Sequence, residues 1–179
     1  GAENGILIRG GETLESAHKI TTVVFDKTGT LTKGEPEVAG VLAGDGTSRD
    51  EVLRLAAGAE RTSEHPIARA ILRFAEASGQ SAPIAESFRA LEGLGVEARI
   101  EGRDVVLGNE KLMQEREIDL AALAGPVAEL TGDGKTPVFV ASAGRFLGLI
   151  AVADTLKENA PDAVASLKEV AGILVAEGA

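Results

Sequence analysis

The sequence has no cysteine, no tryptophan and no tyrosine, and its five aromatic residues are all phenylalanine. Without cysteine there is no disulfide framework, no thiolate nucleophile and no thiolate metal site, and two histidines are all the imidazole on offer. A transition-metal centre built by this chain alone is therefore not expected. Long apolar runs are missing too. The longest, such as Phe146–Ala153, fall far short of the roughly 20 residues a membrane helix needs, so direct membrane insertion by this segment is not expected. Positive charge is scarce: 18 basic against 28 acidic side chains leave a net charge of −10 with no basic run, which argues against nucleic acid or an anionic membrane surface as the main partner.

What is present is ordinary globular composition, 44% hydrophobic and 26% charged, over 179 residues. That length allows one domain, or one complete domain and part of another. The opening Gly1-Ala2-Glu3-Asn4 carries neither a methionine nor a charged-then-apolar leader, so the sequence is expected to be a piece of a longer chain. No repeat or low-complexity segment is seen.

Thr21-Thr22-Val23-Val24-Phe25 is a short β-branched apolar run that suits a strand buried on both faces, and it stops at Asp26. The segment from Lys27 to Pro36 is dense in turn formers and hydroxyls. From Ser48 to Ala59, Val52, Leu53, Leu55, Ala56 and Ala59 recur at helical spacing, with Ser48 as N-cap and Glu51 completing a capping box. A second helix is expected from Pro66, burying Ile67, Ala70, Ile71 and Phe74. Val96–Ile100 and Asp104–Leu107 read as one β-hairpin, and Pro137–Ser142 with Arg145–Val152 as another. Ile118–Leu130 fits a helix interrupted near Gly125-Pro126, and Pro161–Val170 a last helix. The fold class that follows is α+β: an antiparallel sheet with flanking helices, inserted into a partial α/β layer that is left near Lys33 and re-entered near Ala153.

Asp26 stands at the C-terminal edge of its strand, where open parallel sheets place ligands. Its carboxylate is ionised at neutral pH and can attack an electrophilic phosphorus without a base. Lys27, Thr28 and Thr30 can offset or hydrogen-bond phosphoryl charge, and Gly29 lets the backbone come close. An isolated aspartate at this position would more simply cap a turn. The complete string Asp26-Lys27-Thr28-Gly29-Thr30, however, resembles the phosphorylation motif of P-type ATPases, with the haloacid dehalogenase-like fold that motif implies.

The resemblance continues in order along the chain. Gly5-Ile6-Leu7-Ile8-Arg9-Gly10-Gly11 and Ala17-His18-Lys19 are similar to the approach to the phosphorylation site in heavy-metal-transporting members, and Ser63-Glu64-His65-Pro66 to the signature of their nucleotide-binding domain. Gly93-Leu94-Gly95-Val96 resembles their Gly-x-Gly-Val turn, Gly108-Asn109 their Gly-Asn dipeptide, and Asp154-Thr155-Leu156-Lys157 the return into the phosphorylation domain. The copper-exporting branch is the closest in character. This resemblance implies a phosphorylation-domain segment over residues 1–33, a nucleotide-binding domain over 34–152 and a partial return over 153–179. It also implies ATP and Mg²⁺ as cofactors, with Asp26 as nucleophile, Lys27 and Thr28 beside it in catalysis, and Asp26 with Thr28 toward the metal. ATP or ADP, together with the actuator and transmembrane domains of a parent chain, are the implied partners, and a cytoplasmic part of an integral membrane protein is the implied location.

For the nucleotide, the resemblance points to Glu60, His65, Gly93, Gly95 and Asn109. Glu60 is similar to the family's glutamate that accepts a hydrogen bond from the adenine amino group; alone it would be a solvated charge at a helix end. His65, just before Pro66, sits at a helix N-terminus that disfavours imidazolium and leaves a neutral ring to stack on or bond with a base, or simply caps the helix. Gly93 and Gly95 admit a flat base or a phosphate close to the backbone, or form an ordinary turn. Asn109 positions ribose or phosphate, or caps the segment ending at Met113.

Three further matches are set aside. Gly93–Ala98 fits the dinucleotide fingerprint but opens a hairpin rather than a helix. Gly134-Lys135-Thr136 ends like a P-loop but has Glu129 in place of the first glycine, and Thr131-Gly132-Asp133 lies inside the insert. His18 is read as a packing or solvent-facing residue. The expected continuation beyond Ile173, a Thr-Gly-Asp motif, a catalytic lysine and a Gly-Asp-Gly-x-Asn-Asp metal site, is not in the sequence, which ends Ala176-Glu177-Gly178-Ala179. A soluble phosphatase of the same fold class is the rival enzyme, but Thr28 stands where its second acid is expected. A nucleotide-binding module without phosphoryl transfer is the non-enzymatic rival.

Overall fold

The computed structural model describes residues 19–169 and 172–176; Gly5–Gly11, Ala17, His18 and Val170 lie outside the described residues, as do the side chains of Lys27, Thr28 and Ile173–Ala176. The chain divides into two compact units, at Gly34/Glu35 and again at Thr155/Leu156.

In the first unit β1 (Thr22–Asp26) pairs in parallel with β8 (Gly172–Ala176), Thr22 opposite Gly172 and Asp26 opposite Ala176. Helix α5 (Ala160–Lys168) leads into β8 and packs on it. The expectation of a strand buried on both faces is corrected: β1 alternates exposed and half-buried residues, and Val24 is 61% exposed. Among the described residues β1 belongs to a two-stranded ribbon, and the helix α5 packs on its partner β8. The segment read as turn from Lys27 to Pro36 is also corrected. Only Lys27–Leu31 turns, as a single π-helical turn, and the strand β2 (Thr32–Ala43) then includes Gly34 and Pro36. Both breakers are tolerated because β2 is an edge strand.

The second unit is built on the sheet β2-β7-β6-β5-β4-β3. The two expected hairpins are its centre: β4 (Gly95–Ile100) with β5 (Arg103–Gly108), and β6 (Thr136–Ser142) with β7 (Arg145–Leu156), all antiparallel. The strand β3 (Ser87–Leu91) has no sequence signal of its own. It forms the other edge, is almost wholly exposed, and pairs antiparallel with β4.

Strand alternation sorts side chains into two cores. Val138, Val140, Ile150 and Val152 join Val96, Ala98, Ile100, Val105 and Leu107 on one face, against α1 (Arg49–Glu60) and α2 (Pro66–Ala77). Phe139, Ala141, Leu149 and Ala151 point the other way, against α3 (Glu110–Glu115) and residues from Ile118 to Leu130. Central strands covered on both faces explain the unbroken apolar run at Phe146–Ala153. Ser48 caps α1 by accepting from the Glu51 amide at 3.1 Å, while the Glu51 carboxylate is taken by Arg103 of β5. Arg54 pairs with Glu101 at 2.8 Å, a second tie between α1 and the β4–β5 hairpin.

The helix expected over Ile118–Leu130 is shorter and starts later. Glu117 has a positive φ of 55°, and Asp119 accepts from the Ala121 amide at 2.9 Å, which holds a turn instead of a helix. A 3₁₀ turn at Ala121–Leu123 leads into α4 (Ala124–Gly132), so Gly125-Pro126 lies in the first turn, where proline costs no hydrogen bond, rather than interrupting the helix.

At Gly148 in β7 the neighbouring strand β2 and helix α1 leave no room for a side chain: a Cβ there would lie 2.5 Å from the Leu42 carbonyl oxygen and 2.6 Å from Val52. Gly148→Ala is expected to destabilise the chain by about 1–3 kcal/mol, the usual cost of overpacking. Gly132→Ala, in the last turn of α4 with nothing within 4 Å, is expected to stabilise it by roughly 0.5–1 kcal/mol. Urea unfolding of the two variants checks the pair; equal midpoints would contradict the packing argument.

Candidate functional site

Helix α1 is apolar over its second half, and Leu55, Ala56, Ala57, Gly58 and Ala59 are buried by the sheet and by Pro83. The next residue is Glu60, carried into the same burial and only 5% exposed. The solvated helix-end charge that its type suggests is not what forms. A carboxylate here meets the negative end of the helix dipole and has lost its water. Burial pushes the Glu60 carboxyl above the usual range, with the Ser63 hydroxyl bond pulling partly the other way. One oxygen, Oε2, has no hydrogen-bond partner among the described residues. Such an atom is rare in a folded chain and leaves an acceptor open to a donor from outside the described residues.

Three residues later the chain turns back on itself. The Ser63 amide donates to the Glu60 carbonyl at 3.0 Å, and the Ser63 hydroxyl accepts from the His65 amide at 3.3 Å. His65 is the N-cap of α2, its Nδ1 accepting from the Ile67 amide at 3.2 Å, with Pro66 at the first helical position. A ring whose Nδ1 accepts carries its proton on Nε2. His65 is exposed, and its cap bond fixes the ring. Glu60, Ser63 and His65 therefore form one cluster. Ser63 belongs to the quoted motif but was not singled out as a site residue; its spacing, two before a capping histidine, is the signal that could have done so.

Gly93, Gly95 and Asn109 form a second group. Gly93 has φ +70° and open space around its Cβ position. Gly95, at φ +146°, is crowded instead: a Cβ would lie 2.1 Å from the Leu107 carbonyl oxygen, so the close approach it permits is to β5 of its own chain. Asn109 caps α3 through its Oδ1, accepting from the Leu112 amide at 3.0 Å, and its Nδ2 donates to the Gly93 carbonyl at 2.9 Å. Its amide bolts the glycine turn to the start of α3.

Asp26 is in the first unit, exposed at the end of β1. In the turn that follows, Gly29 has φ +77°; its amide donates to the buried Thr32 hydroxyl at 3.0 Å, and its carbonyl accepts from Lys157 Nζ at 2.7 Å. π-turns of this kind recur at functional sites. Among the described residues no three acidic or imidazole groups cluster as a metal site. One exposed carboxylate matches Mg²⁺ arriving with phosphate oxygens and its own water, the usual way this ion is held.

The model of the haloacid dehalogenase-like hydrolase family matches residues 20–177. The N-domain of a copper-transporting P-type ATPase is 35% identical, superimposes with a TM-score of 0.54 and is covered over 98% of its length by 64% of this chain. The chain thus belongs to the haloacid dehalogenase-like hydrolases, and among them to the P-type ATPases. It is 48% identical over 168 residues to the probable copper-exporting P-type ATPase V of Mycobacterium tuberculosis (strain CDC 1551 / Oshkosh), matching 93% of this chain and 22% of that protein. A crystal structure of a zinc-transporting PIB-type ATPase is 39% identical with a TM-score of 0.75, covering 98% of this chain and 28% of that one. The chain spans about a fifth of the length of the curated relatives it matches.

Because the Glu60 pKa is raised on folding, the stability tied to its protonated form is complete below the unfolded value of about 4.3 and is lost as pH rises through the folded value. Glu60→Gln removes that loss. The variant is expected to be more stable than the wild type at pH 7 by about 1–3 kcal/mol, with the gap closing below roughly pH 4. Denaturant melts across pH check it; a gap independent of pH would show that the carboxylate is not the source.

Proposed function

We propose that this chain is the ATP-binding and phosphorylation-site region of a heavy-metal-exporting P-type ATPase of the copper class, a cytoplasmic part of a membrane protein that couples ATP hydrolysis to metal transport. The observation that carries the reading is the buried Glu60 carboxylate with an unpartnered oxygen, one turn of chain from a fixed His65 ring. An adenine amino group supplies the missing donor. Guanine places a carbonyl at the same position and meets the carboxylate with an acceptor, so one buried atom both binds and discriminates. His65 adds a neutral ring and an Nε2–H donor, and Gly93 adds an open turn that Asn109 holds still. Residues 34–152 act in this reading as the nucleotide-binding domain, and 1–33 with 153–179 as parts of the phosphorylation domain.

Asp26 is the phosphoryl acceptor. Its carboxylate oxygen forms a bond to the γ-phosphorus while the bond to the β–γ bridging oxygen breaks, and ADP leaves with that electron pair. Mg²⁺, held by Asp26 and Thr28, would neutralise phosphate charge there. Lys27 offsets developing negative charge, and Thr28 in place of a second acid leaves no side-chain base beside the acyl phosphate, which suits an intermediate that must outlive its formation. The copper class rests on the name of the 48%-identical relative.

Calorimetric titration tests the nucleotide site. ATP is expected to bind with a dissociation constant between about 1 μM and 1 mM. His65→Gln and Glu60→Ala are each expected to weaken it by roughly five- to hundred-fold, and GTP to bind measurably more weakly than ATP. Equal binding of GTP and ATP, or two unaffected variants, would move the base site away from these residues.

A further inference from the structure

The turn after Asp26 is held from two sides. Lys157, the first residue after β7, donates its backbone amide to the Leu31 carbonyl at 2.9 Å and its ammonium to the Gly29 carbonyl at 2.7 Å. Thr32, 2% exposed, takes the Gly29 amide. Every atom of this arrangement lies in the first unit. A charge-assisted bond to a backbone carbonyl is about twice as strong as a neutral one. Gly29 supplies the positive φ the turn needs, but glycine alone does not choose which way its peptide faces. That choice is made by the clamp. With no cis peptide among the described residues, the Thr30 N–H lies antiparallel to the Gly29 carbonyl, and fixing the carbonyl on Lys157 turns this donor in the opposite direction.

We propose that Lys157 is a positioning residue for phosphoryl transfer: its ammonium, by holding the Gly29 carbonyl, sets the orientation of the peptide groups in the turn that follows the acceptor Asp26. The proposal rests on the phosphorylation reading above. A turn whose carbonyls were free to swing toward a triphosphate would repel it, whereas one with its donors set in advance costs no reorganisation when charge develops. Displacements of about 1 Å in such groups change rates on the order of a hundred-fold. The nucleotide base is assigned to Glu60 and His65, so loss of the clamp should appear in the rate of transfer and not in nucleotide affinity.

The test uses the complete protein that contains residues 1–179 and three variants: Lys157→Met, which keeps the stem without donor or charge; Lys157→Gln, which keeps a donor alone; and Lys157→Arg, which keeps both. The backbone bond from Lys157 to Leu31 survives in all of them. With radiolabelled ATP, Lys157→Met is expected to form the Asp26 phosphoenzyme about ten- to hundred-fold more slowly at unchanged KM, Lys157→Gln to be intermediate, and Lys157→Arg to recover most of the rate. Amide hydrogen exchange, read without nucleotide, is expected to quicken at Gly29 and Thr30 in Lys157→Met and to return toward wild type in Lys157→Arg. Exchange unchanged in Lys157→Met, or a transfer rate within about three-fold of wild type, would overturn the proposal, as would a change in KM alone. If the wild type forms no phosphoenzyme that Asp26→Asn abolishes, the phosphorylation reading itself fails, and with it the proposal.

Discussion

The apolar half-turns of α1 decide more than their own burial. Leu55, Ala56, Gly58 and Ala59 are small or well-fitted enough to lie flat on β4, with Gly58 so close to Pro83 and Ile100 that a methyl group would collide at 2.7 Å. That contact leaves the last residue of the helix no route back to solvent. Glu60 is buried by its neighbours, and the desolvation of its carboxylate follows as a debt of the packing rather than from any partner of its own. Ser63 and His65 then need only a short turn to reach it. The candidate nucleotide site is thus a by-product of how closely one helix can approach one sheet.

Much of this is legible in the sequence. Central strands β6 and β7 show as apolar runs because they are covered on both faces, β4 shows as alternation because only Val96, Ala98 and Ile100 face a core, and α1 and α2 show as helical periodicity opened by Ser48 and Pro66. The edge strands β2 and β3 were silent for the complementary reason: exposed on one side and unpaired on the other, they tolerate Gly34, Pro36, Arg89 and Ser87, which read as turn or loop. The helix beginning near Ile118 was misread because a strained Glu117 and an Asp119 turn are invisible to periodicity. For the site, residue types and spacing pointed to Glu60 and His65, but only packing distinguishes a buried carboxylate from a solvated one. The Lys157 clamp lies far along the chain from Gly29, and no local pattern connects the two.

The glycines show that one residue type serves opposite ends. Gly93 leaves room for something outside the chain, while Gly95 and Gly108 have used theirs: each would place a Cβ within 2.2 Å of backbone from the other's neighbourhood. A motif of two glycines separated by one residue therefore divides its labour, the first open and the second closed. Asn109 then spends both ends of its amide on keeping that division in place.

The parallel pairing of Thr22 with Gly172 has a consequence for how the chain acquires its structure. The first unit is made from two stretches that enclose the whole of the second in sequence, so β1 waits, during synthesis, for a partner that emerges only after the insert. Closing that distance as a flexible loop of the 145 residues between Asp26 and Gly172 carries an entropy cost rising by about 0.6 kcal/mol per doubling of length, whereas a folded insert whose entering and leaving strands are sheet neighbours reduces it to closing the turn Lys27–Leu31 on one side and the stretch that holds α5 on the other. The insert is expected to fold first and act as an internal template. Slow steps in assembly should then belong to the β1–β8 ribbon, whose contacts are the most distant in sequence.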